Sequence, residues 1–219
     1  MNILLVSATP HEYMPLADML HPSENQGHYR IGHHDITMLH AGIGLIPFSY
    51  RLTRILSANT YDLCINMGIA GSFNDELTLG DVVEVHTDQP GDAGAEDGPD
   101  ILSLFDMGLE NANSHPYKEG KLWGTFSTGL PKASGITLGR ATGSESTVTA
   151  LKEKFNPDVE SMEGAAFYYA CLSEGIPCTQ IRAISNRVER RNRDSWNIPL
   201  ATQQLATAIH GLLSELPQP

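Results

Sequence analysis

The sequence is poor in the groups that staple a fold or announce a charged partner. Its three cysteines, Cys64, Cys171 and Cys178, are too widely spaced for a CxxC motif and sit in apolar contexts. Buried free thiols are therefore expected, with neither a disulfide framework nor a zinc site. Positive charge is scarce: 14 Lys and Arg stand against 26 Asp and Glu, a net charge of −12. Such a chain repels nucleic acid and anionic lipid, and no basic stripe interleaved with aromatics offsets the repulsion. Long apolar runs are also missing. Met1-Asn2-Ile3-Leu4-Leu5-Val6 has no basic flank and is far too short to span a bilayer, so it reads as a first strand. A soluble, cytoplasmic protein with no membrane partner is expected. His33-His34 and the other histidines lack metal-ligand spacing, and His11-Glu12 has no second His to complete HExxH, so no metal is expected.

What is present points to an α/β protein. At 219 residues and 41% hydrophobic content the chain can bury one substantial core as a single domain, residues 1–219. Short runs rich in Val, Ile and Leu predict strands at Asn2–Ala8, Ile36–His40, Asp62–Met67, Asp81–His86 and Thr179–Ile184. Helical patterns fill His11–Leu20, Leu45–Ala58, Thr147–Lys154, Met162–Glu174 and Pro199–Leu216. This alternation predicts three αβα layers around a mostly parallel or mixed sheet. Residues 87–124 break the rhythm with clustered Gly, Pro, Asp and Asn, and are expected to form a long excursion serving as a lid or an oligomer contact.

The most informative segment is ESMEGAAFYYACLSEGIPCTQIRAISN, Glu160 to Asn186. It predicts a helix opening at Met162-Glu163, a stop at Gly175-Ile176-Pro177, and a strand that delivers Ser185 and Asn186 at its carboxyl end. Open α/β sheets place ligands at that end. Two glycine turns are predicted, Gly42-Ile43-Gly44 opening a helix and Gly68-Ile69-Ala70-Gly71 after a strand. Neither matches GxGxxG or GxxxxGK[ST], and no cofactor is implied. Glu12 follows the first strand where a helix begins, a place where a carboxylate also simply favours the helix dipole.

The set GIAGS at Gly68–Ser72, SMEGAA at Ser161–Ala166 and IRAISN at Ile181–Asn186, with Glu12 at its early position, resembles the nucleoside phosphorylase/hydrolase superfamily. The likeness spans Asn2 to about Leu213. Within the superfamily the chain is similar to methylthioadenosine/S-adenosylhomocysteine nucleosidases and, more closely, to futalosine hydrolases of menaquinone biosynthesis. The resemblance implies that Glu163 grips ribose hydroxyls beside Met162 and that Glu12 orders or activates water. Asn186 would face the purine N7 edge, supported by Ser185, with Ala70 and Gly71 bordering ribose and base. It also implies a homo-oligomer, a dimer or higher.

The implied chemistry is self-consistent. Breaking an N-glycosidic bond builds positive charge on the sugar, which one carboxylate stabilises while another activates water. The purine leaves once N7 is protonated or hydrogen-bonded. Asn186 departs from the adenosine-type nucleosidases, which carry Asp there. An amide can donate to a 6-oxo oxygen and accept from protonated N7, which suits hypoxanthine. Phosphorylases of the superfamily carry an Arg before the GxxG stretch, whereas Ile65-Asn66-Met67 supplies no cation, so water is the expected nucleophile.

Futalosine extends an aromatic carboxylate from its ribose. Arg187, Arg190, Arg191 and Arg193 could hold it, Arg187 and Arg191 being the named candidates, and Trp196 could stack on base or tail. A solvated basic loop and a core tryptophan are the plainer readings of these residues. Thr142-Gly143-Ser144-Glu145 replaces the usual Ser-Gly-Asp-x-Phe of the base-packing segment. Alternatives are a nucleosidase for inosine, methylthioadenosine or S-adenosylhomocysteine, and a nonenzymatic nucleoside-binding module, which the retention of both Glu12 and Glu163 opposes.

Overall fold

A computed structural model of the chain describes residues 1–23, 27–98 and 100–217. The chain runs β1 (Asn2–Ser7), α1 (Pro10–Ala17), β2 (His21–Pro22), β3 (His28–Ile31), β4 (His34–His40), α2 (Leu45–Ala58), β5 (Leu63–Ser72) and β6 (Val82–Asp88). It continues β7 (Gly94–Asp97), β8 (Asp100–Ser103), β9 (Leu122–Trp123), β10 (Lys132–Thr137), α3 (Glu145–Phe155), β11 (Val159–Ser161), α4 (Gly164–Ser173), β12 (Cys178–Arg187) and α5 (Ile198–Glu215). The main sheet has the order β11-β10-β6-β12-β5-β1-β4-β3-β2. Pairing is parallel across β4–β1–β5–β12 and across β6–β10–β11, and antiparallel between β12 and β6. The expected three layers and mixed sheet are present.

The strands are buried on both faces because helices cover both. Ile3 and Leu5 of β1 pack into one apolar layer with Leu16 of α1 and Leu205 and Ile209 of α5, while Leu4 and Val6 join Phe48, Leu52 and Phe167 of α2 and α4 in the other. This is the strand's period of two expressed as a core. All three cysteines are free and buried in that second layer, as expected.

One end of the sheet curls on itself. β11 pairs with β10 on one side and antiparallel with the carboxyl half of β5 on the other, Glu160 opposite Gly71. The strands β5, β12, β6, β10 and β11 therefore close a ring, filled by Ala70, Val83, Val85, Ala133, Val159 and Ile184. β10 and β11 were not legible in the sequence: KASGIT carries a lysine and a glycine, and VES is three residues long. Residues 87–124 hold the end of β6, the β7–β8 hairpin and β9, more order than the composition predicts.

The Gly68–Gly71 stretch corrects the sequence reading. It makes no turn; β5 runs unbroken through it to Ser72, paired along its length with β12. Glycine is needed at position 68 for close approach. A Cβ there would collide with the Arg182 guanidinium and lie 2.7 Å from Glu12 Oε1.

Candidate functional site

Glu12 is the third residue of α1, and its position follows from the helix cap. Thr9 donates to Glu12 Oε2 through its backbone N–H at 2.8 Å and its hydroxyl at 3.0 Å, so the third helical residue reaches back to satisfy the amide of the N-cap. The other oxygen, Oε1, accepts from Ile69 N–H at 3.2 Å. Glu12 is thus buried and aimed across the carboxyl end of β1 at the floor made by β5.

Glu163 reaches the same place from the opposite layer. It is the N-cap residue of α4, and its Oε1 accepts the N–H of Gly44, the cap of α2, at 2.7 Å. The turn predicted at Gly42–Gly44 therefore does open a helix and offers its amide to a carboxylate. Burial pushes the Glu163 carboxyl above its ordinary value; the Arg182 cation and the Gly44 amide pull it back, and the nearby Glu12 charge pushes it up again.

Sequence reasoning missed the cation between these carboxylates. Arg182 of β12 is 1% exposed, directly opposite Gly68 in register, with its guanidinium filling the space above that glycine. Its Nε donates to Gln180 Oε1 at 2.8 Å, and Gln180 Nε2 donates to Asp88 Oδ2 at 3.0 Å. Asp88 Oδ1 accepts from Thr137 Oγ1 at 2.9 Å. Full burial raises the Asp88 carboxyl to about 6 despite these donors and Arg182. Nη2 of Arg182 has no hydrogen-bond partner among the described residues. The signal was available: Arg182 lies between Ile181 and Ala183 in a strand buried on both faces, where a charged side chain needs a reason.

At the other end of the site stands Asn186. Between Ile184 and Asn186 the register with β5 shifts by one residue, a bulge that sets Asn186 opposite Gly71 while Ile184 stays opposite Ala70. Asn186 Oδ1 accepts from Ser185 Oγ at 2.8 Å, and its Nδ2 donates to Arg187 O at 2.9 Å. Each amide atom keeps one unused hydrogen-bonding position. Met162 is half-buried in the link between β11 and α4, beside Glu163.

The arginines divide. Arg187 is committed elsewhere: its guanidinium donates to the carbonyls of Asn74 and Asp75 and lies 3.6 Å from the Asp75 carboxylate. Arg191 stacks over the Trp196 ring at 5.7 Å, and its backbone donates to Gly143 O at 3.3 Å, which ties this pair to the Thr142–Glu145 segment. Arg190 and Arg193 are exposed.

The assembled geometry offers two buried carboxylates around one cation at one end, and a neutral, oriented amide at the other. Comparison with known proteins gives the family. Futalosine hydrolase of Thermus thermophilus is 30% identical over 182 residues, 81% of this chain and 80% of that protein. The chain belongs to the futalosine hydrolase family. The futalosine hydrolase of Acidothermus cellulolyticus is likewise 30% identical, over 80% of this chain and 74% of its own length. No family model matches the chain. Among solved structures, the Helicobacter pylori futalosine hydrolase superposes with a TM-score of 0.80 at 18% identity, covering 99% of this chain and 98% of that one. An S-adenosylhomocysteine nucleosidase from Streptococcus pyogenes, in complex with 5-methylthiotubericidin, gives 0.82 at 19% identity, covering 100% of this chain and 98% of that one. Those identities speak for the fold. As a member of the futalosine hydrolase family the protein is an N-glycosidase that hydrolyses a nucleoside, which sets the nonenzymatic alternative aside.

Proposed function

We propose that the nucleoside is futalosine, cleaved by water to hypoxanthine and dehypoxanthinylfutalosine as a step of menaquinone biosynthesis. The observation that carries this reading is the neutral amide of Asn186 at the base end, held by Ser185 and by the Arg187 carbonyl with one donor and one acceptor position left open. Those two positions match a 6-oxo oxygen and a protonated N7.

In this mechanism N7 takes a proton from solvent, and Asn186 Oδ1 accepts it as a hydrogen bond while Nδ2 donates to O6. The C1′–N9 bond breaks, its electron pair leaving with the purine, and positive charge develops on the ribose. Glu163, as a carboxylate beside Met162, accepts from the ribose hydroxyls and faces that charge. Glu12 orients the attacking water and takes its proton as the hydroxyl joins C1′. Ala70 and Gly71 border the sugar and base. Arg182 pulls the Glu163 carboxyl down against its burial, favouring the ionised form, and its Nη2, unpartnered among the described residues, is a further donor for the water. The carboxylate tail would meet the Arg191–Trp196 rim. We also read the chain as a homo-oligomer closed partly by residues 87–124, since Ile46 (86% exposed), Tyr50 (62%) and Leu109 (67%) leave apolar surface open for a second copy; light scattering that returns a monomer would reject this.

Purified protein incubated with futalosine, inosine and methylthioadenosine, with and without phosphate, tests the reading. Hypoxanthine and a free sugar product are expected from futalosine at a rate indifferent to phosphate. Preferential adenine release, or a sugar phosphate product, would overturn it.

A further inference from the structure

Glu160 has no part in the mechanism above, yet it is the least satisfied carboxylate beside the base end. It lies in β11 and is 7% exposed. Its Oε1 accepts the Thr142 N–H at 3.0 Å, while Oε2 is buried with no hydrogen-bond partner among the described residues. Its neighbour Val159 points into the closed ring of strands, so Glu160 points outward, away from it.

Gly71 locates this carboxylate relative to Asn186. The point where a Cβ of residue 71 would stand is 2.8 Å from Val188 Cγ2, 3.1 Å from Asn186 Nδ2 and 3.3 Å from Glu160 Cγ. The Asn186 and Glu160 side chains therefore flank the space over Gly71 together with the Val188 methyl, which puts an amide and a carboxylate-bearing side chain around one glycine. An isolated buried carboxylate oxygen is costly, and burial pushes the Glu160 carboxyl above its ordinary value. A donor supplied by the ligand would relieve both.

We propose that Glu160 is a specificity-determining residue whose free carboxylate oxygen accepts the N1–H of a 6-oxopurine, next to the O6 contact made by Asn186. This rests on the nucleoside-cleaving reading of the same site. The chemistry is ordered along one edge of the base: N7, then O6, then N1–H in hypoxanthine, against Asn186 Oδ1, Asn186 Nδ2 and Glu160 Oε2. Adenine presents a 6-amino donor and a bare N1 lone pair on that edge, so it opposes Asn186 Nδ2 with a donor and Glu160 with an acceptor. Discrimination is then built by two residues rather than one.

The test is the dissociation constants of hypoxanthine and adenine, the free bases, for wild type, Glu160→Gln and Glu160→Ala. Glutamine keeps the size of the side chain and the acceptor for Thr142, but is uncharged and can donate to adenine N1. The hypoxanthine preference is expected to fall by about tenfold or more in both variants, the scale of a hydrogen bond to a charged group. A merely structural role would weaken both bases alike and leave the ratio within about threefold of wild type; that outcome overturns the assignment. The wild type alone supplies a second check, since 1-methylhypoxanthine lacks the N1–H, and its binding as tightly as hypoxanthine would also overturn it. Binding of neither base does the same. If the base preference follows Glu160 while futalosine is not cleaved, the proposed reaction falls and the assignment of Glu160 stands.

Discussion

The guanidinium of Arg182 occupies the volume that a side chain on Gly68 would need, and Glu12 Oε1 lies 2.7 Å from the same point. A single hydrogen atom at position 68 lets cation and carboxylate meet on the strand floor. Gly68→Ala is expected to displace both by about an ångström and to lower kcat by about 100-fold. Circular dichroism should show the fold retained. Near wild-type turnover would show that this contact is not needed.

Arg182 should also set the acid limb of the pH profile. In the proposed mechanism Glu163 accepts from the ribose hydroxyls as a carboxylate; burial raises its carboxyl while Arg182 lowers it. Activity is expected to fall on acidification at a pH above the ordinary glutamate value of about 4.3. Removing the cation in Arg182→Gln should move that limb to higher pH as well as reduce kcat. A limb that stays put would separate Glu163 from the titration.

Asp88 makes a prediction about stability. Its carboxyl is raised from 3.8 to about 6 in the fold, so between those values the native state binds more protons than the unfolded chain. Stability should therefore fall as pH rises from about 4 to about 6 and level off above. At about 1.4 kcal/mol per pH unit the decline is about 3 kcal/mol. Measured as the difference in denaturant stability between wild type and Asp88→Asn, a flat or opposite trend would contradict the assignment.

Asn186→Asp tests the base end. A carboxyl that is protonated can donate to N7 and accept from a 6-amino group, whereas one that is ionised repels O6. The ratio of hypoxanthine to adenine release from matched nucleosides is expected to drop by about tenfold or more. An unchanged ratio would remove Asn186 from base selection.

The rim arginines should behave differently from one another. Arg187→Ala breaks its bonds to the Asn74 and Asp75 carbonyls, and is expected to lower stability by about 1 kcal/mol without a selective change in KM. Arg191→Ala and Trp196→Ala should raise the KM for futalosine and leave that for inosine unchanged. Equal effects on both nucleosides would place the tail elsewhere.

What the sequence revealed and what it hid divide along physical lines. α2 was legible to the residue, Leu45–Ala58, because its apolar period is uninterrupted between Gly44 and Asn59. Glu12, Glu163 and Asn186 stood out through their motifs, and the fold brings Glu12 and Glu163 to one cation. Arg182 was passed over because its motif was read for Ser185 and Asn186, although a charge amid the apolar residues of β12 was itself the sign. β10 and β11 escaped because short strands closing a ring owe their stability to partners distant in sequence, which local pattern does not report. Gly68 was misjudged for the same reason: its need for glycine comes from Arg182, 114 positions away and invisible along the chain.

The bulge at Ser185 has a consequence for how such a site can diverge. Ile184 and Asn186 would share one face of a regular strand, yet the extra residue puts Ile184 in the core and turns Asn186 toward Gly71. Position 186 is thereby uncoupled from the packing that holds the ring closed. If Asn186 reads the base as proposed, an exchange of amide for acid there alters what is read without disturbing what is built, and a lineage could trade one purine for another in a single step.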